Sequence, residues 1–500
     1  MKNIKLGLLT GVAALAVLGS CKKMDLYPYN AVERSQSFKT VKDASYWDTG
    51  IHAFVKGRAY GLYTFSQDVQ ADQLNATLDY GNRNGAPHRM DDSFNSDDYT
   101  LRDVWQGYYN GINNTNVAIE GYKALTAATA AETDSLNKYI GGAHLARAHY
   151  YHNLVLRFSK AYNATSASTD LGVPIVLSQD LFGKPSRASV QAVYDQILGD
   201  ITEAKAKLVK VVGKSGASRF TVDAAVALEA RVKLDKKDYP GAYTAAASLV
   251  DGGKYPLYST AATVKSYWHT DTRGEDIIQL HGTVANAFNT NNIYLGFNAG
   301  AATFTPDFLP TASVINLFDA TDFRKSVYFE AKHVTISGIV YNNTLQVVNK
   351  YPGNPALFTG AVTNYQHYVK LYRIGEQYLI AAEAAYFNNG DEVNARKYLN
   401  ALRVARGLTA TLATGTALLT EIKNERQREL AFEGFRLFDL KRWNEGVVRG
   451  TAQNKTPLTV APAASFVDLS KAANFDKIVW GIPTNDMIIN PNIKPNNPGW

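Results

Sequence analysis

The chain has 500 residues, with 52 Lys and Arg against 45 Asp and Glu, a formal charge of +7, and one cysteine, Cys21. The small basic excess is spread along the chain without a long basic block, which excludes the electrostatic footprint of a nucleic-acid binder. A lone cysteine excludes intramolecular disulfides, a thiol nucleophile in the folded part and a cysteine-rich metal site.

The N-terminus reads Met1-Lys-Asn-Ile-Lys5, then an uncharged run from Leu6 to Leu18, then Gly19-Ser20-Cys21. Basic start, apolar middle and small residues mark residues 1–20 as a secretory signal, and the apolar run is too short for a membrane span. A cysteine directly after Leu18-Gly-Ser resembles the bacterial lipobox, in which that cysteine is acylated and becomes the first mature residue. The alternative is an ordinary cleaved signal with an incidental cysteine. Residues 21–36 carry no clear period and read as an acylated start and tether, able to reach roughly 50 Å when extended.

Helical patterning begins near Val41 and fails at Ser66. Ser66 to Tyr99 is rich in Asp, Asn, Arg and Gly, and a stretch of that length without periodicity is functional or disordered. Val104 to Tyr162 reads as a long helical hairpin, and Ser189 to Val211 as a further helix. Residues 220–252 repeat a plan of Ala-rich helix, short polar turn, second helix and glycine stop. The same plan recurs at 371–407, where Leu371, Ile374, Tyr378, Ala381, Ala382 and Ala385 predict one apolar, mostly small face. There Asn388-Asn-Gly390 is the turn, Asp391 the N-cap and Gly407 the stop. A fourth unit is expected over 416–449. Such pairs cannot bury their faces alone, so the sequence predicts a mainly α fold of about four tetratricopeptide-like hairpins in one domain, 37–500, with long loop insertions at 66–100 and 255–369. Within the second insertion, 282–310 is neutral, amide-rich and aromatic, which suits a neutral polar ligand or a protein partner, or else a packed Gly/Asn coil.

Glu425, Glu429 and Glu433 recur at i, i+4 with Arg426, Arg428 and Arg436 interleaved. Paired carboxylates can do acid–base chemistry; the reading preferred here is an ion-pair lattice locking the last helices to the neighbouring hairpin. The tail from Trp480, rich in Pro and Asn, reads as an ordered coil or strap. Gly213-Lys-Ser215 is no phosphate loop, since Leu208 stands where the motif needs glycine. His144, His149 and His152 lie in one helix, without HExxH, and read as helix-surface histidines rather than a metal site. No nucleophile elbow occurs. The expectation is therefore no enzyme, no metal and no cofactor.

The lipobox, Trp105-Gln-Gly-Tyr-Tyr-Asn-Gly-Ile-Asn-Asn-Thr-Asn116, Ala146-Arg-Ala-His-Tyr-Tyr151, Gly172-Val-Pro-Ile-Val176, the hairpin at 373–407, the block Glu425-Arg-Gln-Arg-Glu-Leu-Ala-Phe-Glu-Gly-Phe-Arg-Leu-Phe-Asp-Leu-Lys-Arg-Trp443 and the ending Ile482-Pro-Thr-Asn-Asp-Met487 to Asn490-Pro-Asn492 together resemble the SusD/RagB outer-membrane lipoproteins of Bacteroidetes. The resemblance covers essentially the whole chain, and the Glu425–Trp443 block is its most specific part. It implies a non-catalytic, surface-exposed oligosaccharide-binding protein, lipid-anchored through Cys21, that caps a SusC-like TonB-dependent transporter. After Cys21 the sequence Lys22-Lys-Met-Asp25 departs from the acidic cluster often linked to surface display. The family binds ligand on loops away from the hairpins, in the two segments where helical pattern fails. A sugar site needs flat aromatic faces and planar amide or guanidinium groups. The candidates are Asp72, Tyr80, Asn82, Arg83, Arg89, Trp268, Asn292, Tyr294 and Phe297. The competing reading is a helical scaffold lipoprotein that organises envelope proteins or binds peptides.

Overall fold

The computed structural model describes residues 36–180, 182–285, 288, 293–458 and 470–500. The signal, Cys21, the tether up to residue 35 and Asn292 lie outside the described residues. The helices that carry the fold are α1 (Val41–Gly57), α2 (Leu62–Gln70), α3 (Tyr99–Ala124), α4 (Ala130–Phe158), α5 (Val190–Lys207), α6 (Val222–Asp235), α7 (Tyr239–Asp251), α8 (Ile374–Phe387), α9 (Glu392–Ala405), α10 (Gly415–Glu429) and α11 (Arg436–Trp443). Their starts are chemically marked. Thr40, Thr129, Ser189, Thr221, Asp238 and Asp391 each accept a hydrogen bond from the backbone N–H three residues on, satisfying a donor that has no partner inside the helix. Gly407 ends α9 at φ 83°, where a Cβ would come within 2.5 Å of the Thr321 carbonyl oxygen.

The helices stack in sequence. α3 lies on α4, α4 on α5, α5 on α6, α6 on α7, α7 on α8, α8 on α9 and α9 on α10, while α1 covers α3 and α4. These are tetratricopeptide-like hairpins of unequal length. In α8 the small buried residues Ala381, Ala382, Ala384 and Ala385 let neighbouring backbones approach closely. Periodicity predicts one apolar face on this helix; the structure buries it nearly all round, because α6, α7, α9 and α10 all pack against it. That central position also buries Glu376 and Glu383, which Arg231 and Arg442 neutralise.

The histidines of α4 are not on the surface as expected. Neighbouring elements cover the helix on several sides, so His144, His149 and His152 are all buried: His144 meets Asp200 of α5 at 2.7 Å, His149 the Tyr372 hydroxyl from the segment preceding α8 at 3.0 Å and His152 Asp235 of α6 at 2.9 Å. No group of three or more His, Cys, Asp or Glu side chains that could hold a metal occurs among the described residues.

The insertions add small sheets. β1 (Leu74–Ala76) pairs antiparallel with β5 (Phe308–Pro310); β2 (Asp276–Leu280) pairs antiparallel with β8 (Val369–Arg373) and so leads into α8; and β3 (Phe297–Asn298), β4 (Thr303–Phe304), β6 (Phe329–Ile336) and β7 (Ile339–Val348) form a four-stranded sheet in that order. Residues 66–70, read from sequence as the start of a loop, are instead the buried end of α2, where Phe65 and Val69 reach the core. The C-terminal strap is held by Trp480, whose ring N–H donates to Gln70 at 2.8 Å, and by Asn497, which bonds the Phe158 and Trp480 carbonyls at 2.8 and 2.6 Å.

The glutamate series forms a buried lattice, with Glu425 and Glu429 on α10 and Glu433 in the turn that follows it, since the helix ends at Glu429 rather than continuing through Glu433. Glu429 accepts from Arg373 at 2.5 Å, from Arg406 at 2.8 Å and from Arg324 at 2.8 Å; Glu425 accepts from Arg324 and Arg428, both at 2.7 Å; Glu433 accepts from Arg373 at 2.6 Å and Lys350 at 2.7 Å. Arg406 continues to Glu275 at 2.8 Å and Arg324 to Asp322 at 2.7 Å. Burial alone pushes these carboxyls up, but the arginines overcome it, holding Glu429 well below the ordinary 4.5 and Glu425 and Glu433 below it. Removing one member strands its buried partners. Glu429→Gln is therefore expected to cost about 3–5 kcal/mol at pH 7, measured by urea unfolding. A depressed carboxylate contributes stability above its unfolded pKa and loses it as pH falls through the folded value. The gap between wild type and Glu429→Gln should accordingly hold from neutral pH down to the ordinary 4.5 and narrow only below it; a gap that narrows between pH 7 and 5 contradicts this assignment.

Candidate ligand-binding face

The two segments that lack helical pattern are brought together in space. The Leu74–Ala76 pairing with Phe308–Pro310 starts the junction, the Thr77 amide extends it to the Asp307 carbonyl at 2.9 Å, and Arg83 Nε reaches the Asp307 carboxylate at 2.7 Å. The Asp79 carboxylate accepts from the Ser337 amide at 2.7 Å, which ties the loop to the tip of the β6–β7 hairpin. Asp307 itself is buried; burial pushes its carboxyl up, against the pull of Arg83.

Between these ties the chain curls through Gly81, Asn82 and Asn84, all at positive φ, a conformation that glycine and asparagine tolerate. The curl turns Tyr80, Asn82 and Arg89 toward one another. Arg89 Nη1 donates to the Tyr80 hydroxyl at 2.7 Å and to the Asn82 side-chain oxygen at 2.8 Å, while its Nε and Nη2 are steadied by Asp91 at 2.9 Å and Ser93 at 3.0 Å. Tyr80 packs edge-on to Phe308, and Tyr99 stands close by, its hydroxyl accepting from the Asn84 amide. Across the junction, Phe297 lies against Phe304 at 5.0 Å between ring centres, with Lys332 over the Phe304 ring. The result is a partly exposed surface of planar polar groups with aromatic rings beside them, the chemistry that binds a sugar's hydroxyls and its apolar ring face.

Of the residues predicted from sequence, Tyr80, Asn82, Arg83 and Arg89 meet on this face and Phe297 lies on the adjoining sheet. Asp72, Trp268 and Tyr294 do not join them. Asp72 is bound by Arg436 of α11 at 2.9 and 2.8 Å. Tyr294 is buried, donating to Asp68 at 2.9 Å, and burial pushes the Asp68 carboxyl up to about 7. Trp268 is buried among Tyr267, Tyr328 and Tyr351 with Lys350 4.1 Å over its ring. Residue type recommended all three, but type alone carries no information on burial. Sequence reasoning missed Tyr99, Phe304, Lys332 and the hairpin tip. The tip had a signal: Ser337-Gly338 between alternating residues is a hairpin turn, and both residues have positive φ, as a two-residue turn of that kind needs.

Trp268 instead lines a separate cavity of about 110 Å³ between α2, α4, α6, α11 and β8. Pockets for small organic ligands begin at roughly 300 Å³, and this cavity is smaller.

The fold is thus a stack of tetratricopeptide-like hairpins that carries a polar and aromatic face on inserted loops. The profile described as "SusD family" matches residues 316–500, and the one described as "Starch-binding associating with outer membrane" matches residues 25–234. The chain belongs to the SusD/RagB family. It is 24% identical over 560 residues to a SusD-like protein of Formosa agariphila, covering 99% of both chains. The solved structure of a SusD superfamily protein from Bacteroides thetaiotaomicron superposes with a TM-score of 0.78 at 26% identity, over 92% of this chain and 100% of that one. A laminarin-binding SusD-like protein shares the fold, with a TM-score of 0.71 at 20% identity, over 93% of this chain and 100% of that one. Among the described residues no helix is long and apolar enough to cross a membrane.

If the Arg83–Asp307 pair holds the face together, Arg83→Ala should speed hydrogen exchange at the Thr77 and Ser337 amides by roughly tenfold and leave the β2–β8 amides unchanged. Unchanged exchange at the Thr77 and Ser337 amides would remove Arg83 from that role.

Proposed function

We propose that this protein is a non-catalytic, cell-surface binding protein for oligosaccharide nutrients and acts as the lid of a SusC-like TonB-dependent transporter. The observation that carries the reading is the junction of the two inserted segments into one partly exposed face, with Tyr80, Asn82 and Arg89 mutually bonded on it. Membership of a family whose profile is described as starch-binding and outer-membrane-associated supports it, as does the laminarin-binding neighbour. In this reading residues 1–20 are removed, Cys21 is acylated, residues 21–36 tether the body to the outer membrane and residues 37–500 form one domain. A tether of roughly 50 Å keeps the body at high effective concentration beside a transporter. Ligand held between the face and the transporter mouth adds contacts only in the closed state, so binding favours closure by the difference in affinity between states.

Calorimetric titration of the protein lacking residues 1–21 against a panel of oligosaccharides, laminarin-derived β-glucans included, should find a binder. Tyr80→Ala and Arg89→Ala should each weaken it by roughly tenfold, about 1.4 kcal/mol, with an unchanged melting temperature. Unaltered affinity in both variants would move the site elsewhere. Co-purification of the full chain with a TonB-dependent transporter after mild detergent extraction tests the lid; its failure would leave a glycan binder without that partner and favour the scaffold reading.

A further inference from the structure

Arg83, Arg89 and Lys332 stand on the proposed glycan face, and each lies against a carboxylate. Asp307 chelates Arg83 through Nε and Nη2, Asp91 meets Arg89 Nε at 2.9 Å, and Glu330 meets Lys332 at 2.9 Å. Asp79 and Asp92 are exposed beside them, and no cation pairs with either among the described residues. Asp79 instead accepts from the Ser337 amide at 2.7 Å. The ion pairs cancel, and these two carboxylates are left in excess.

A guanidinium binds a carboxylate or a sulfate best through two parallel N–H bonds. On this face the edges that could do so are occupied. The Nε–Nη2 edge of Arg83 is held by Asp307, although the arginine side chain is 57% exposed. On Arg89, Nε goes to Asp91, Nη2 to the Ser93 hydroxyl at 3.0 Å, and Nη1 to both Tyr80 and Asn82. An acidic sugar would have to displace a carboxylate and then sit beside Asp79 and Asp92. A sugar hydroxyl meets neither obstacle. It needs only single bonds and can both donate and accept, and Tyr80, Asn82 and the exposed carboxylates offer partners of both kinds.

Building on the reading of this face as the glycan site, we propose that Asp91 and Asp307 are specificity-determining residues. They mask Arg89 and Arg83, so that the face takes uncharged sugar units and rejects those carrying carboxylate or sulfate groups. One charge close to the ligand at a wet surface is worth roughly fivefold in affinity at low salt. Exchanging a masking carboxylate for its amide keeps an acceptor oxygen in place and removes the charge, which leaves the guanidinium available to an acidic sugar.

The test titrates protein lacking residues 1–21 with laminari-, cello-, malto- and mannohexaose, each alongside its C6-carboxylated form. At least one uncharged hexaose should bind, with its carboxylated form roughly tenfold weaker at about 20 mM salt, and the affinity of the uncharged form should be the same at about 500 mM salt. Asp91→Asn should narrow the gap between the two forms roughly fivefold at low salt and leave it unmoved at high salt. If that variant does not fold, Asp307→Asn, which uncovers Arg83, should narrow it instead. Asp92→Asn changes the net charge equally but uncovers no guanidinium, and should narrow the gap less. Equal narrowing in Asp92→Asn, or an unmoved gap at low salt in the folded masking variant, ends the masking role. A carboxylated form that binds wild type as tightly as the uncharged one overturns this proposal alone and leaves the glycan reading standing. Absence of binding by every probe removes the glycan reading and this proposal with it.

Discussion

The structure depends on keeping a set of charges out of water without leaving any of them alone. Glu429 sits at the centre, touched by arginines from the end of β8, the end of α9 and the loop at 322–324. Each of those arginines holds a second acid, so the network fixes the relative placement of elements far apart in sequence. Compared with a well-packed apolar core, such a lattice is no great source of stability, since desolvation offsets most of the Coulomb gain. What it supplies is a geometry with few alternatives: any shift of α10 against α8 and α9 leaves a buried charge unpaired.

That rigidity has a consequence for the inserted segments. β8 runs directly into α8 and is paired with β2, and the loop bearing Asp322 and Arg324 runs through the short helix Lys325–Tyr328 into β6. The lattice thus anchors both edges of the insertion to the helical stack. From that anchored base the β6–β7 hairpin and β5 reach the curl at 77–93 and hold it through Asp79, Arg83 and the Thr77 amide. Loops can carry recognition chemistry only where a scaffold positions them, and here a short ladder and two carboxylates do so.

The C-terminal strap serves the same end from the other side. Lys477 caps the Asp91 and Phe94 carbonyls at 2.8 and 2.7 Å, and Asp486 accepts from Trp105 at 3.0 Å, so the tail closes over the base of the curl. Substitutions in the strap are therefore expected to act on the face through position and not through contact.

Much of the helical architecture was legible from local chemistry. The small-residue stripes of α6 to α9, the Asn388-Asn-Gly390 turn, the Asp391 cap, the Gly407 stop and the arginine-interleaved glutamates of α10 each follow from spacing and residue type, because helices are stabilised by neighbours three and four residues away. The two inserted segments were legible too, apart from residues 66–70, which are helical, since loss of periodicity marks chain that must find partners elsewhere. What the sequence could not contain was depth. Trp268, Tyr294 and Asp72 have the same chemistry as Tyr80, Asn82 and Arg89, and only long-range packing placed the first three against Lys350, Asp68 and Arg436 and left the second three partly open to solvent. The histidines of α4 illustrate the same limit: their burial is imposed from outside the helix, with partners on α5, β8 and α6. Local sequence determined which segments fold into hairpins and which do not; the tertiary structure decided which polar groups face solvent, because burial is a property of the neighbours a residue meets and not of the residue.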